Sequence, residues 1–343
     1  MSRELYCDDA SRQLVLGVET EGAMTRCELC GGELMSAGMV PGYQEPKVYE
    51  IFDCRRCMTM VASPKRIDPQ VYNAIYAVPG GGPGYDRYFQ YARRVVHVRN
   101  PLRYLTTRVD AAWGVTKVLR QHGARTVLEA GCGLGYFTYA LKRGGYDTVG
   151  IDISKEAVEQ AKRAYGDFYR AESVESYAAG AQRKFDAIVM VEVIEHLEDP
   201  TTVLRDAAGL LSPGGSIILT TPNRTYYGYD RPWSTDLPPV HLWWFSQESI
   251  RVLAERVGCR AEFVDFSEYN ARYPVLHAFT CGHAVQLDAN GRVLRRESLP
   301  MSLARRTGLL HEGYWFVSGA VGLLKRGNAS TSRPTMVAVL RHA

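Results

Sequence analysis

From Arg125 to Thr221 the chain repeats one pattern, a short apolar run followed by a longer segment whose apolar residues return every third or fourth position. The runs RTVLEA, DTVGID, FDAIVMVE and SIILTT read as strands, since a strand buried on both faces needs no polar alternation. GYFTYALKRG, SKEAVEQAKRAYG and PTTVLRDAAGLLS between them read as helices; Ser154 is the capping candidate of the second, and Asp199 and Pro200 mark the start of the third. Pro213-Gly214-Gly215 reads as a turn. This alternation predicts an α/β fold, a mostly parallel sheet with helices on both faces and a ligand crevice beyond the carboxyl ends of the strands. Glu129 to Gly135, Asp152, Glu192 and Thr220 to Asn223 would then surround one crevice.

Further on, Ser246 is expected to cap the helix QESIRVLAERVG, with its box partner one position off the ideal. AEFVDFSEYN reads as a sixth strand and PTMVAVLR as a seventh. The long interval between them, at about 271–333, is expected to supply a lid, a substrate wall or a dimer surface, so a homodimer is a candidate assembly. His277, His283 and His311 lie outside any metal-like spacing and read as structural. Upstream, residues 63–120 read as a helical, aromatic-rich arm. Pro79 to Pro83 frame three glycines as a turn or short lid. Tyr72, Tyr76, Tyr85, Tyr88, Phe89 and Tyr91 partly follow helical spacing, which suits packing; the sharper alternative is that Tyr85, Tyr88 or Tyr91 covers a bound ligand.

At 343 residues the chain exceeds the usual size of one domain, which divides it into 1–62, the arm 63–120 and a main domain 121–343. A formal charge of +4, spread rather than clustered, gives little footing to nucleic acid. No apolar run reaches the roughly 18 residues of a membrane span, and MSRELYCDDASRQ has no apolar signal core, so a cytoplasmic setting is expected.

Four cysteines form two pairs, Cys27 and Cys30 in CELC, then Cys54 and Cys57 in CRRC. Two knuckles of this spacing make a closed tetrahedral sulfur shell, which suits structural zinc and leaves no position for substrate. Such a staple would let a small, loop-rich segment around the strand KVYEIFD fold. Cys7, Cys132, Cys259 and Cys281 show no such grouping.

In TVLEAGCGLGYF, Gly131, Gly133 and Gly135 follow a strand and open a helix, with Asp152 at the end of the next strand. The turn lets backbone approach a ligand, and Asp152 can accept hydrogen bonds from ribose hydroxyls. A dinucleotide oxidoreductase would be expected to carry G-x-G-x-x-G instead. EAGCGLGYF, GIDIS, FDAIVMVEVIEHLEDP and LLSPGGSIILTTPN resemble the successive motifs of class I S-adenosylmethionine-dependent methyltransferases over residues 125–223, and more loosely to about 270. The resemblance implies a Rossmann-like, mostly parallel seven-stranded sheet with an antiparallel last strand, beside the small zinc-binding module. It implies S-adenosyl-L-methionine held by Glu129, Gly131, Cys132, Gly133 and Gly135 at the methionyl part and by Asp152 and Ile153 at the ribose. Glu172 and Ser173 would lie at the adenine, Arg170 standing where the family has an acidic residue.

Glu192, Glu195 and His196 occupy consecutive turns where the fourth strand ends, so their heads are expected to converge, with His241 following in PPVHLWWFS. The E-x-x-E-H run followed by a histidine is similar to a magnesium-binding arrangement in some small-molecule O-methyltransferases and in enzymes methylating small-RNA 3′ ends. Magnesium on these four residues, a metal-free base at His196 or His241, and a purely structural role are the open alternatives. Glu192 also borders the cofactor. In the aromatic loop after strand five, Tyr226, Tyr227, Tyr229 and Trp233, with His241, are the candidate wall for a small-molecule acceptor, whereas Trp243 and Phe245 alternate and point inward. The cysteine knuckles, tyrosine-rich arm and following domain together resemble bacterial methyltransferases of nucleotide-linked sugars, surface polysaccharide precursors or secondary metabolites. Unlike the sugar C-methyltransferases, this chain is expected to lack their further C-terminal domain, so a hydroxyl acceptor is expected, with a nitrogen acceptor behind it. An RNA 2′-O-methyltransferase and a noncatalytic cofactor-binding protein are the alternatives.

Overall fold

The computed structural model describes residues 24–42, 48–66, 86–181, 183–227, 237–275, 309–324 and 330–343. The apolar runs form the expected sheet. Its strands are β4 (Thr126–Ala130), β5 (Asp147–Asp152), β6 (Tyr169–Ala171), β7 (Phe185–Val191), β8 (Leu211–Pro222), β10 (Cys259–Phe263) and β11 (Thr335–His342). They lie in the order β10-β11-β8-β7-β4-β5-β6. From β8 to β6 the neighbours are parallel, and β11 runs antiparallel to β8 and to β10.

Successive strand residues point to opposite faces, and both faces are covered. Val127, Val189, Ile218 and Val337 pack under the arm with Val95, Leu105, Val115 and Leu119. Leu128, Ile188, Ile217 and Ala338 face the other way, against Leu204, Leu253 and Trp243. From Asp86 the arm carries helices Asp86–Arg94, Pro101–Thr106 and Asp110–Gln121. Ser154 caps helix Lys155–Tyr165, and Asp199 caps helix Pro200–Gly209 with Pro200 at its first position.

Two local readings are corrected. The box partner of Ser246 is Ser249, at the ideal position: the Ser246 hydroxyl accepts from the Ser249 N–H at 3.0 Å, and the Ser249 hydroxyl accepts from the Ser246 N–H at 2.7 Å. The sixth strand begins at Cys259 and stops at Phe263, because the Asp265 carboxylate takes the Ser267 N–H at 2.7 Å and turns the chain into helix Ser267–Arg272.

A second, four-stranded sheet runs in the order β1 (Leu34–Pro41), β2 (Val48–Cys54), β3 (Thr59–Ser63) and β9 (Trp243–Trp244), all antiparallel. Its last strand comes from the segment after β8. Trp243 points into the main core, stacked on Phe245 at 5.9 Å, while Trp244 joins Tyr49, Ile51, Met60 and Ala62. Within the interval 271–333, helix Leu309–Leu324 packs on Ser267–Arg272. No helix among the described residues is long and apolar enough to cross a membrane. His277 and His283 lie outside the described residues, as does the side chain of His311.

Candidate functional site

A cavity of about 550 Å³ opens beyond the carboxyl ends of β4, β5 and β7. At one end the chain turns through Gly131, Gly133 and Gly135, all with positive φ. A Cβ on Gly131 would lie 2.4 Å from Val193, and one on Gly135 2.6 Å from Ala161 and Tyr169, so both conformation and space require glycine. Asp152 secures the turn: one carboxylate oxygen accepts from the Gly133 N–H at 2.7 Å, the other from the Ser154 N–H at 2.8 Å. Each oxygen keeps a lone pair for a further donor. Glu129 lies at the floor, buried, taking the Thr138 hydroxyl; burial and the charge of Asp152 push its carboxyl up to about 8, against the pull of Thr138. Cys132, Ile153, Glu172 and Ser173 line the same end, while Arg170 is exposed and outside it. Of the residues expected at the cofactor, Glu129, Gly131, Cys132, Gly133, Asp152, Ile153, Glu172, Ser173 and Glu192 border this cavity, whereas Gly135 is not among its lining residues.

At the other end, Glu192 closes β7 with φ 53°, a strained left-handed conformation for a residue with a side chain. The Thr220 hydroxyl donates to its carboxylate at 2.8 Å. Glu192 is not in the group whose ligand atoms converge, although its backbone hydrogen-bonds His196. The short 3-10 turn Ile194–His196 instead brings Glu195 and His196 to His241, with donor atoms all within 4.8 Å of one another. Glu195 is fully buried, and its carboxylate lies 4.0 Å from His196 Nε2. His196 Nδ1 sits 2.5 Å from the Val240 carbonyl. Burial drives both imidazoles down to about 3, with His241 adding to the effect on His196 and the Arg87 charge adding to that on His241.

The arm completes this end with Arg87 and Tyr88, the Arg87 guanidinium donating to the Tyr88 hydroxyl at 3.1 Å. Tyr88 stacks over Tyr136 at 6.2 Å, and Tyr91 is buried against the same ring; Tyr85 lies outside the described residues. Arg87, Val109, Ala112 and Tyr136 escaped the reading of the sequence. Arg87 adjoins a tyrosine that was singled out and Tyr136 follows Gly135 in the glycine-loop motif, but nothing local marks Val109 and Ala112. Of the candidate acceptor wall, His241 lines the cavity. Tyr226 instead feels Arg333 and Tyr314, and it is not among the lining residues. The Tyr227 side chain, Tyr229 and Trp233 lie outside the described residues.

The four cysteines of the two knuckles come together with their sulfurs within 4.8 Å of one another. Cys27 and Cys57 are 3.6 Å apart, Cys30 and Cys54 3.4 Å. A tetrahedron with zinc–sulfur bonds of about 2.3 Å has edges of about 3.8 Å, so the set fits that ion. The Gly32 N–H points at Cys30 Sγ at 3.3 Å, the kind of outer bond that orients a thiolate ligand.

Sheet order, glycine turn and acidic strand end together are those of the fold that the resemblance to class I S-adenosylmethionine-dependent methyltransferases implied. Residues 96–262 match the family model described as methyltransferase domain. The chain is similar to the ubiquinone biosynthesis O-methyltransferase of Xanthomonas oryzae pv. oryzae, at 38% identity over 141 residues, 39% of this chain and 54% of the relative. The corresponding protein of Xanthomonas axonopodis pv. citri is 36% identical over 140 residues, with the same coverage. The chain thus spans about half the length of the curated relatives it matches. A solved SAM-dependent methyltransferase from Archaeoglobus fulgidus aligns at 17% identity over 75% of this chain and 100% of its own, with a TM-score of 0.43, too low to carry an argument.

Proposed function

We propose that the protein transfers a methyl group from S-adenosylmethionine to a hydroxyl of a small-molecule acceptor, a nucleotide-linked sugar or a secondary metabolite. The observation that carries this is the single cavity whose one end is the glycine turn with Asp152 and whose other is the polar group of Glu192, His196 and His241. The bound cofactor supplies an electrophilic methyl. The chain's own work is to hold the two reactants in line and to ease loss of the hydroxyl proton. Gly131 to Gly135 leave room and N–H groups for the methionyl part, Asp152 accepts from the ribose, and Glu172 and Ser173 border the base. The O-methyltransferase names of the relatives favour a hydroxyl over an amine.

Between the readings of the far end, the convergence of Glu195, His196 and His241 within 4.8 Å favours a divalent cation. An imidazole held near 3 is a weak proton acceptor at neutral pH, yet it is in the neutral form that ligates metal. Glu195, His196 and His241 would hold magnesium, which would lower the pKa of a bound hydroxyl enough for its proton to leave to solvent water. Glu192 would stand beside it at the cofactor. Cys27, Cys30, Cys54 and Cys57 would hold the structural zinc.

A product-mass screen with methyl-labelled S-adenosylmethionine against nucleotide sugars, phenolic metabolites and RNA tests the reading. Label is expected in a small molecule. Label in RNA alone overturns it, and tight cofactor binding with no transfer would leave a noncatalytic protein.

A further inference from the structure

The strap His241–Ser246 is gripped from two sides. On the side of the site, the Leu242 N–H donates to the Glu195 carbonyl at 2.8 Å and the Trp243 indole N–H to the Leu197 carbonyl at 2.8 Å. On the other side the strap is the fourth strand of the cysteine module. The Ala62 N–H donates to the Leu242 carbonyl at 2.9 Å, and Met60 and Val61 pair with Trp244 and Trp243. The Thr59 hydroxyl donates to the Trp244 carbonyl at 3.3 Å, and the Ser246 hydroxyl to the Cys57 carbonyl at 2.9 Å. One peptide unit on each side of Leu242 therefore joins Glu195 to β3, and Cys57 is itself one of the four sulfur donors.

A two-residue strand has little stability of its own, so its position is set by what it pairs with. His241 depends on that position more than most side chains. Its Nδ1 is buried with no hydrogen-bond partner among the described residues, so the backbone beneath it places the ring. The cofactor end is held differently, by Gly133, Asp152 and Ser154, and shares none of these bonds.

We propose that the cysteine module is a positioning device for His241: metal on the four thiolates fixes β3, and β3 fixes the strap that carries His241 to Glu195 and His196. Thr59 and Ser246 are the positioning residues. The inference rests on the proposed function only in giving His241 its place at the acceptor end.

The test uses the full chain, zinc-loaded or zinc-depleted, with Thr59→Val removing one strap bond and Thr59→Ser restoring the hydroxyl. Amide exchange is followed over 240–246 and 194–197, S-adenosylhomocysteine affinity by calorimetry, and kcat and KM with an acceptor from the screen. Zinc depletion is expected to speed exchange in both segments and to lower kcat by about tenfold or more, with S-adenosylhomocysteine affinity unchanged. Thr59→Val should act in the same direction and Thr59→Ser should not. Exchange that rises only within residues 24–63, or affinity that falls in step with kcat, overturns the proposal. If the wild type binds no S-adenosylhomocysteine, the methyltransferase reading fails, while the exchange pattern still decides the strap.

Discussion

His196 and His241 meet edge to face, their ring centroids 4.7 Å apart and their planes at 88°. Two imidazoles so close cannot both carry charge cheaply, and burial keeps them neutral at pH 7. With the Glu195 carboxylate they offer two nitrogens and one oxygen to a cation. Zinc-loaded protein dialysed free of magnesium should therefore lose methyl transfer and regain it on readdition. Glu195→Ala should lose at least about tenfold in activity at fixed magnesium. Full activity in both experiments would remove the metal and return the proton to a side chain.

Glu129 offers a proton-linked readout at the opposite end. Its carboxyl, pushed up to about 8 by burial, is largely protonated at pH 7. A cofactor ammonium brought next to it favours the ionised form, so binding should expel the proton. Calorimetry of S-adenosylhomocysteine at pH 7 in buffers of differing ionisation enthalpy should show release of close to one proton. The release should fade as pH rises past 8, where the carboxyl is already ionised, and vanish in Glu129→Gln. Equal release in that variant would assign the proton to another group.

The glycine turn should tolerate no side chain. At Gly135 a Cβ meets Ala161 and Tyr169 at 2.6 Å, and φ is +73°. The Tyr169 hydroxyl also donates to the Gly135 carbonyl at 2.7 Å, so the ring has little freedom to retreat. Gly135→Ala should cost about 1–3 kcal/mol of stability from backbone strain, with the clash added. It should also abolish the thermal shift that S-adenosylhomocysteine gives. Gly145→Ala is the control, since its φ of +96° is equally strained but no atom lies within 4 Å of the new Cβ. A variant at 135 that keeps its ligand-induced shift would take the turn out of the cofactor site.

How much of this was legible depended on whether the deciding contact was local. The strands β4, β5, β7 and β8 were readable because burial on both faces demands apolar runs. Ser154, Asp199 and Pro200 announced helix starts because a cap acts over three residues. β9 was not readable, since two tryptophans become a strand only by pairing with Met60 and Val61 far away in the chain. The same holds for Glu192. Spacing alone put it with Glu195 and His196, but the Thr220 hydroxyl from the neighbouring strand holds its carboxylate. Arg87 reaches the cavity through packing of the arm, which leaves no mark on its own neighbours in sequence.

Arg333 joins three parts of the chain. It is 3% exposed, and its Nε donates to Asp110 at 3.0 Å. One terminal nitrogen donates to the Asn270 side chain at 2.6 Å and to the Tyr273 carbonyl at 2.7 Å, while the guanidinium lies over the Tyr269 ring at 4.9 Å. Next to it, the Asn223 N–H donates to the Pro334 carbonyl at 2.6 Å, just past the cavity residue Pro222. Val109 and Ala112, which flank Asp110, also line the cavity. Removing one partner of a buried ion pair leaves the other desolvated and uncompensated, so Arg333→Met should cost about 3 kcal/mol in urea unfolding. Replacing both partners removes that penalty, and the double variant Asp110→Asn with Arg333→Met should recover part of the loss. Because the helix Asp110–Gln121 carries cavity residues, S-adenosylhomocysteine should bind the single variant more weakly than the double. A single-variant loss below about 0.5 kcal/mol would show the pair behaving like an exposed one and detach it from the arm.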